Sequence, residues 1–266
     1  MEAFLIEEGR ATEARGPGVG VVAERYIVCT GAIHTSALLQ RSGLGGGRVG
    51  SGLTLPHRIL VLGRMPDRLP PGHAPGSYLV EGTDWTISAA DVGPAFYAAH
   101  SRGDAATLAG VLGDWNRMVP LWVTVPEGGG SVGLDRFNRI KVKRDEHPDT
   151  LSALQSGATM AAKMLLAAGA VEVMLPCDGP ATLESDRDAD AFASRTLTPA
   201  ELPMVCQTPQ GGCAIGPDGV VDETFKVHGV ENVYVADASL FPSSAGPNPM
   251  VPVMALGELL GDQLLY

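Results

Sequence analysis

The sequence lacks any apolar run long enough to cross a bilayer. The longest, Met164 to Val171, is far shorter than the roughly 20 residues that a membrane-spanning helix needs. The start, Met1-Glu2-Ala3-Phe4, also lacks the basic residues and the long apolar core of a signal peptide. We therefore predict no membrane span and a cytoplasmic location.

Positive charge is scarce as well. The 266 residues include 19 Lys and Arg against 30 Asp and Glu, which gives a formal net charge of −11. Because the phosphates of a nucleic acid would be repelled, this charge argues against a nucleic-acid partner. An apolar content of 45% with 34 Gly and 20 Pro is typical of a globular, turn-rich protein with one large domain or two small ones.

The cysteines show no spacing of the kind that binds a metal, and we predict no metal site. With no export signal, we expect them to be reduced thiols. The four cysteines are Cys29, Cys177, Cys206 and Cys213.

The most informative stretch runs from Gln207 to Leu265. A short apolar strand, Asn232 to Ala236, ends on Asp237, and Asn248-Pro249-Met250 opens a helix that continues to about Leu265. A carboxylate at the end of a strand can accept hydrogen bonds from sugar hydroxyls, and the start of a helix favours negative charge. This order of elements is typical of a site for an anionic cofactor.

The rest of the chain predicts two kinds of structure. Residues 4–15 read as a hairpin that turns at Glu8-Gly9, and Thr30 to Gly45 read as a strand, a tight turn and a short helix. From about residue 56 to 205, short alternating runs predict an antiparallel sheet. Helices are predicted over 105–118 and 150–168, the second with Gly169 as its C-cap, and Asp178–Asp190 is predicted to be a loop. The predicted strands are Ile59–Leu62, Tyr78–Val80, Leu121–Val125, Val132–Leu134 and Ile140–Val142.

Several motifs of the C-terminal stretch, in this order, resemble the signature of the glucose–methanol–choline (GMC) flavin oxidoreductases. They are Gly211-Gly212-Cys213, Gly219-Val220-Val221-Asp222, the run from Val227 to Ser239, and Gly246-Pro247-Asn248-Pro249. Thr30 to Gly45 resembles a second motif of that family, with Ser36 where the family usually has proline.

The resemblance implies an α/β (α+β) fold with FAD as cofactor. Residues 1–55 and 206–266 would form the C-terminal part of the FAD-binding domain. Residues 56–205 would form a substrate-binding domain, an antiparallel sheet backed by helices. The family's FAD contacts would fall on Gly31, Ala32, Asp237, Ala238, Asn248, Pro249 and Met250.

The resemblance also assigns two catalytic positions, Thr208 and Asn248. The family's base is a histidine three residues before the glycine pair, and counting back from Gly211 gives Thr208. A threonine hydroxyl cannot accept a proton at neutral pH, whereas an imidazole can. Asn248 matches the position where the family has His or Asn to hold the substrate oxygen, and an Asn that caps a helix is compatible with that role.

The strand–GxGxxG–helix unit with which the family binds the FAD pyrophosphate is absent from the sequence. Without it, the edges of the sheet near Tyr26–Cys29 and Val233–Ala236 would be uncovered, which proteins normally avoid. We therefore expect a heteromer with a complementary N-terminal FAD-binding polypeptide.

The leading hypothesis is the C-terminal portion or subunit of an FAD-dependent oxidoreductase. It would transfer hydride to flavin from the CH–OH group of a small-molecule alcohol, sugar or sterol-like substrate. The alternative is a catalytically impaired or non-catalytic subunit that pairs with a GxGxxG-bearing half. A third hypothesis is a self-sufficient domain that covers its edge by homodimerisation. Thr208 and the missing loop favour the alternative, and Asp237 and Asn248 oppose it.

Overall fold

The computed structural model describes residues 1–70, 79–100, 105–126, 128–145, 148–177 and 182–265. Among these residues, no helix is both long and apolar enough to cross a membrane. In chain order the elements are β1 (Ala3–Glu7), β2 (Arg10–Gly16), β3 (Val19–Val21), β4 (Tyr26–Val28), α1 (Ala32–Arg41), β5 (Leu53–Thr54), β6 (His57–Arg64), β7 (Leu79–Glu81), β8 (Thr86–Ala89), α2 (Pro94–His100), α3 (Ala105–Gly113), β9 (Met118–Val125), β10 (Gly129–Leu134), β11 (Ile140–Arg144), α4 (Pro148–Ala167), β12 (Glu172–Met174), β13 (Thr182–Leu183), α5 (Asp186–Ala193), β14 (Val233–Val235) and α6 (Met250–Leu265).

These elements form two compact units, and the predicted mixed α/β class is confirmed. The first unit comprises Met1–Pro56, Glu127–Glu146 and Gln207–Tyr266, and the second comprises His57–Pro126 and His147–Cys206. Residues 127–146, which the sequence assigned to the substrate-binding domain, thus belong to the first unit. The physical reason is that β10 pairs with β5, through Gly129 opposite Thr54. The roles of the two units in binding FAD and substrate stay predictions.

Within the described residues, the first unit contains three small sheets. One is the antiparallel hairpin β1–β2 extended by β3, and the predicted turn has positive φ at Glu8 (50°) and Gly9 (80°). The second is antiparallel β11-β10-β5, and the third is the parallel pair β4–β14. The buried amide of Asn232 ties this pair to the hairpin, because it accepts from the N–H of Ala11 and donates to the carbonyls of Ala11 and Glu24.

One edge of the parallel pair is covered, contrary to the prediction that both would be open. On the outer side of β14, the N–H of Val227 donates to Val233 and the N–H of Val235 donates to Phe225. On the other side, β4 pairs with β14 alone among the described strands. The uncovered edge is therefore that of β4.

The second unit is built on the antiparallel six-stranded sheet β13-β12-β6-β9-β8-β7. One face of this sheet packs against α4 through an apolar stripe of the helix, whose buried members include Leu154, Ala158, Ala161 and Leu165. The predicted C-cap is confirmed: Gly169 has φ 97°, and the N–H of Ala170 donates to Leu165. The opposite face carries Trp122, whose ring meets Phe96 of α2 edge-on at 5.6 Å between ring centroids.

Two predicted elements of the second unit need correction. The predicted loop Asp178–Asp190 contains β13 and the start of α5, while residues 178–181 lie outside the described residues. Its acidic residues favour a helix start, since Asp186 and Asp188 lie in the first turn and Ser185 accepts from the N–H of Asp188. The helix predicted over 105–118 ends at Gly113, and a short 3-10 helix, Trp115–Arg117, follows. Tyr78, predicted to begin a strand, is outside the described residues.

Gly50 provides a test of this fold, because its backbone requires a glycine. Its φ is +84°, and an added Cβ would overlap the carbonyl oxygen of Val132. We expect Gly50→Ala to lower the free energy of unfolding by about 2–4 kcal/mol, through strain and loss of the contact with β10. Gly133→Ala is the matched control, since nothing lies within 4 Å of its added Cβ. Equal urea midpoints for the two variants would contradict this account.

Candidate functional site

Asp237 connects the end of β14 to the start of α1. Its side chain is 6% exposed, and its Oδ2 accepts from the N–H of Gly31 at 2.9 Å and from the hydroxyl of Thr35 at 2.5 Å. Its Oδ1 accepts from the N–H of Ser239 at 2.8 Å. A buried carboxylate is costly unless it is hydrogen-bonded, and these three donors satisfy most of its capacity. The carboxylate therefore fixes how β14 meets α1.

The start of α1 is shaped to receive this carboxylate. Gly31 is the N-cap residue, with φ 83° and ψ 159°, and no side chain caps the helix through its own N-cap position. An added Cβ on Gly31 would meet nothing within 4 Å. A glycine is therefore needed here for its positive φ, and the space beside it is open. Ala32, the first helical residue, is buried. Asp237 thus occupies the positive end of the α1 dipole.

The loop before the glycine pair is held against the loop before α6. Gln210 is fully buried, and its side chain accepts from the N–H of Ala245 at 2.7 Å and donates to the carbonyl of Gly246 at 2.9 Å. Thr208 is half-buried, and its hydroxyl donates to the carbonyl of Pro247 at 3.4 Å. Thr208 therefore lies beside the peptide unit that leads to Asn248.

The glycine pair brings this loop to the residues that follow Asp237. The N–H of Gly211 donates to Ala238 at 2.8 Å, and the N–H of Cys213 donates to Ser239 at 2.9 Å. Both glycines have positive φ, 77° and 97°, and an added Cβ on Gly212 would lie 2.5 Å from the hydroxyl oxygen of Ser36. Close backbone approach explains why two glycines are needed. Ala238, half-buried, is joined to the loop by this contact.

Cys213, which directly follows the glycine pair, is fully buried. Burial raises the pKa of the Cys213 thiol to about 11, and the hydroxyl oxygen of Ser36 lies 3.6 Å from its sulfur. The Ser36 hydroxyl donates to the carbonyl of Ala32 at 2.7 Å. This thiol is therefore protonated at neutral pH and is not a nucleophile.

The start of α6 is open. Pro249 is buried and its carbonyl accepts from the N–H of Val253 at 2.9 Å, whereas Asn248 is exposed and Met250 is 69% exposed. In the first turn, Pro252 has no N–H, so the orphan backbone donors are those of Met250 and Val251. The predicted helix start is thus present and faces outward.

The predicted site residues all lie in the first unit, and several of them take part in a network of hydrogen bonds between its loops. Hydrogen bonds join Gly31 to Asp237, Gly211 to Ala238, and Thr208 to Pro247. Sequence reasoning missed Thr35 and Gln210, which hold this network together. The sequence could have pointed to Gln210, because a polar residue stands there directly before a glycine pair. It could not have pointed to Thr35, because the partner of Thr35 is 202 residues away. The histidine of α1, His34, is exposed, and no group of three potential metal ligands exists in the described part of the chain.

Comparison with known proteins defines the family. The C-terminal domain model of the GMC oxidoreductases matches residues 126–257. A GMC-type oxidoreductase of Mycobacterium tuberculosis is 30% identical over 99% of this chain and 44% of its own length. Another, from Sinorhizobium fredii, is 29% identical over 100% of this chain and 56% of its own length. The chain belongs to the GMC oxidoreductase family, whose members use FAD and act on alcohol-type donors.

More distant matches agree with this assignment. A long-chain-alcohol oxidase of Arabidopsis thaliana is 25% identical over 96% of this chain and 40% of its own length. The crystal structure of pyridoxine 4-oxidase from Mesorbium loti has the same fold, with a TM-score of 0.61 at 20% identity, over 98% of this chain and 56% of that one. The chain spans about half the length of the curated relatives it matches.

The role of Asp237 in linking β14 to α1 can be tested by Asp237→Asn, which keeps the shape of the side chain and removes its charge. One acceptor oxygen cannot satisfy three donors, so we expect the free energy of unfolding to fall by about 1–3 kcal/mol. Asp218→Asn is the control, because that side chain is 97% exposed and its ion pair with Arg48 is a surface pair worth less than about 0.5 kcal/mol. Chemical denaturation followed by circular dichroism gives both values. An unchanged denaturation midpoint for Asp237→Asn would show that Asp237 does not stabilise the link between β14 and α1.

Proposed function

We propose that this chain forms the C-terminal part of an FAD-dependent oxidoreductase that oxidises the CH–OH group of a small alcohol, sugar or sterol-like substrate. The observation that carries the proposal is the contact of Thr208 with Pro247, beside Asn248. The two positions that match the family's catalytic pair thereby lie together. The name of the Arabidopsis relative, a long-chain-alcohol oxidase, supports this donor class.

The residues present fit FAD at the start of α6 better than at the start of α1. The N-terminus of α1 already holds the carboxylate of Asp237, which leaves that residue little capacity for a sugar hydroxyl. At α6, by contrast, the N–H groups of Met250 and Val251 lie in the first helical turn, where they can donate to an electron-rich group, and Asn248 is exposed directly before them. When bound, FAD supplies the acceptor for the substrate hydride.

In this arrangement Asn248 is the residue that orients the substrate. Its amide N–H can donate to the substrate oxygen, and the adjacent Gln210 contacts hold the loop that positions it. Proton removal is the weak step, because Thr208 offers only a neutral hydroxyl. The general base that the family places there contributes roughly 10²- to 10⁴-fold in rate. The same observation favours the second candidate, a catalytically impaired subunit.

The partner in this proposal is a GxGxxG-bearing N-terminal half. Parallel strands normally have both faces and neighbouring edges covered, yet Ile27 of β4 is 52% exposed and the outer edge of β4 is unpaired among the described strands. The first turns of α6 also expose Met250, Val251 and Met254. The relatives are about twice as long as the chain, so a further domain of the family is of the right size to cover these side chains.

We expect the purified chain alone to be colourless and to self-associate, because the pyrophosphate-binding unit is absent and β4 is uncovered. Co-expression with a GxGxxG-bearing half should give a yellow heterodimer. Ile27→Glu should prevent its assembly, whereas Phe137→Glu should not, although Phe137 is equally apolar and 62% exposed. Flavin absorbance and sedimentation velocity measure both properties. Tightly bound, stoichiometric flavin in a stable monomer of the chain alone would disprove the need for a partner.

Restoring the base tests the placement of the site. In the heterodimer with FAD, Thr208→His should accelerate flavin reduction by an alcohol by about 10²-fold or more. The gain should appear as pH rises through the imidazole pKa of about 6.5, since only the neutral ring accepts a proton. Rapid-mixing measurement of flavin bleaching gives the rate.

Two variants serve as controls for that experiment. Thr208→Ala removes the hydroxyl without adding a base and should give no acceleration. Asn248→Ala, added to Thr208→His, should slow the reaction again by removing the donor to the substrate oxygen. If the natural chain already reduces its flavin quickly and Thr208→His changes nothing, the base lies elsewhere and Thr208 is not part of the site.

A further inference from the structure

The hairpin of β10 and β11, in the first unit, carries the densest positive charge of the chain. Five of the 19 Lys and Arg lie within residues 136–144, where no acidic residue occurs, although the whole chain has a net charge of −11. Asp135 and Asp145 flank this run. The hairpin is therefore a basic patch on an acidic protein. Its exposed basic residues are Arg136, Arg139, Lys141, Lys143 and Arg144.

Most of this positive charge is not neutralised within the fold. Asp135 pairs with Arg139, since its Oδ2 accepts from the Nε–H at 2.8 Å. The other four basic residues form no salt bridge with any residue that the structure describes. Lys141 and Lys143 lie on one face of β11, opposite a glycine and a serine of β10, so no carboxylate faces them across the hairpin. Like charges on one face repel each other, and the fold gains nothing from them.

An exposed aromatic ring lies at the tip of the same hairpin. Phe137 is 62% exposed, and the guanidinium carbons of Arg136 and Arg139 lie 4.7 and 5.1 Å from its ring centroid. The turn is well defined, because Asn138 has a φ of 57° and Oδ1 of Asp135 accepts from the N–H groups of Phe137 and Arg139 at 2.8 and 3.0 Å. Turns favour small and polar residues. A phenylalanine held outward here is thus explained neither by the turn nor by packing.

The tip is also anchored at a distance from the candidate site. Arg41 donates through Nε and Nη2 to the carbonyl of Asn138, at 3.2 and 2.7 Å. Arg41 is the last residue of α1, whereas Gly31, which contacts Asp237, caps its start. A helix of this length spans about 15 Å. The length of α1 therefore separates the hairpin tip from the Asp237 network.

We propose that the β10–β11 hairpin docks on the surface of an anionic lipid bilayer, with Phe137 inserted at the level of the headgroups. Apolar and aromatic side chains bind at the membrane interface, and each Lys or Arg close to an anionic bilayer strengthens binding about fivefold. A protruding tip with one apolar side chain can enter a soft headgroup layer, whereas a protein partner would need a matching pocket. The contact is peripheral and involves no membrane span.

The charge of the remaining chain fixes the orientation of this contact. Outside residues 136–144 the chain has an even larger excess of acidic residues, and an anionic bilayer repels them. At about 0.1 M salt, however, charges more than about 10 Å from the bilayer are largely screened. The hairpin is therefore attracted when it approaches first, and other orientations are disfavoured.

The experiment is flotation of the full chain with vesicles of phosphatidylcholine, either alone or mixed with about one-third phosphatidylserine. Flotation separates bound protein from self-associated protein, which sinks. We expect binding to the mixed vesicles only, and weaker binding as salt rises. Lys141→Gln combined with Lys143→Gln should weaken binding about 25-fold, and Phe137→Ser about tenfold. Phe137→Trp should retain binding, with a blue shift of its fluorescence on the mixed vesicles.

Lys163→Gln and Val22→Ser are the matched controls. Lys163 is a lysine outside the hairpin, paired with Asp190, and Val22 is 79% exposed. Both should leave vesicle binding within about twofold, and equal urea midpoints verify that every variant is folded.

Three results would overturn the proposal. The first is equal binding to vesicles with and without phosphatidylserine, and the second is binding that the double lysine variant leaves unchanged. The third is a chain that ignores vesicles and binds poly-glutamate through the same lysines, because the hairpin would then dock on an acidic protein. The experiment needs neither flavin nor an N-terminal half, so its outcome is independent of the proposed function.

Discussion

The first unit depends on a hydrogen-bonded carboxylate between elements that are far apart in the chain. Asp237 and Gly31 are separated by 206 residues, yet the side chain of one accepts from the backbone of the other. Beside this link, β4 and β14 form a parallel pair with the register Tyr26 to Val233. A two-stranded parallel sheet has little stability of its own, so its buried residues and the Asp237 contacts must hold it together. The loops of the candidate site depend on this parallel pair and on the Asp237 contacts.

The local elements could be predicted from the sequence because their signals are local. The Glu8-Gly9 turn, the apolar stripe of α4 and its Gly169 cap depend on neighbours within a few residues. The acidic stretch before α5 was misread because charge was taken as a mark of a loop. Asp186 and Asp188 instead stabilise a helix start. Composition alone does not distinguish the two cases, whereas a serine followed three residues later by an acidic residue does.

The site was predictable in its members but not in its contacts. Motif order assigned Thr208, Asp237 and Asn248, since the family resemblance is carried by sequence. The partners that satisfy Asp237 could not be found in this way, because Thr35 is distant in the chain and a threonine at a helix start is common. The grouping of hairpin β10–β11 with the first unit could not be found from the sequence for the same reason. Its alternating pattern resembles that of its neighbours, and the pairing with β5 is a long-range property.

The parallel pairing of β4 with β14 also affects the order in which the chain can fold during synthesis. At 5–20 residues per second, the ribosome needs roughly 10–40 s to add the residues that separate Gly31 from Asp237. During that time β4 has neither its strand partner nor its carboxylate, while the second unit is complete once Cys206 has emerged. The strand β4 is therefore made well before the residues that stabilise it. Loop closure over such a distance is entropically costly, so we expect the first unit to be the slower of the two to fold.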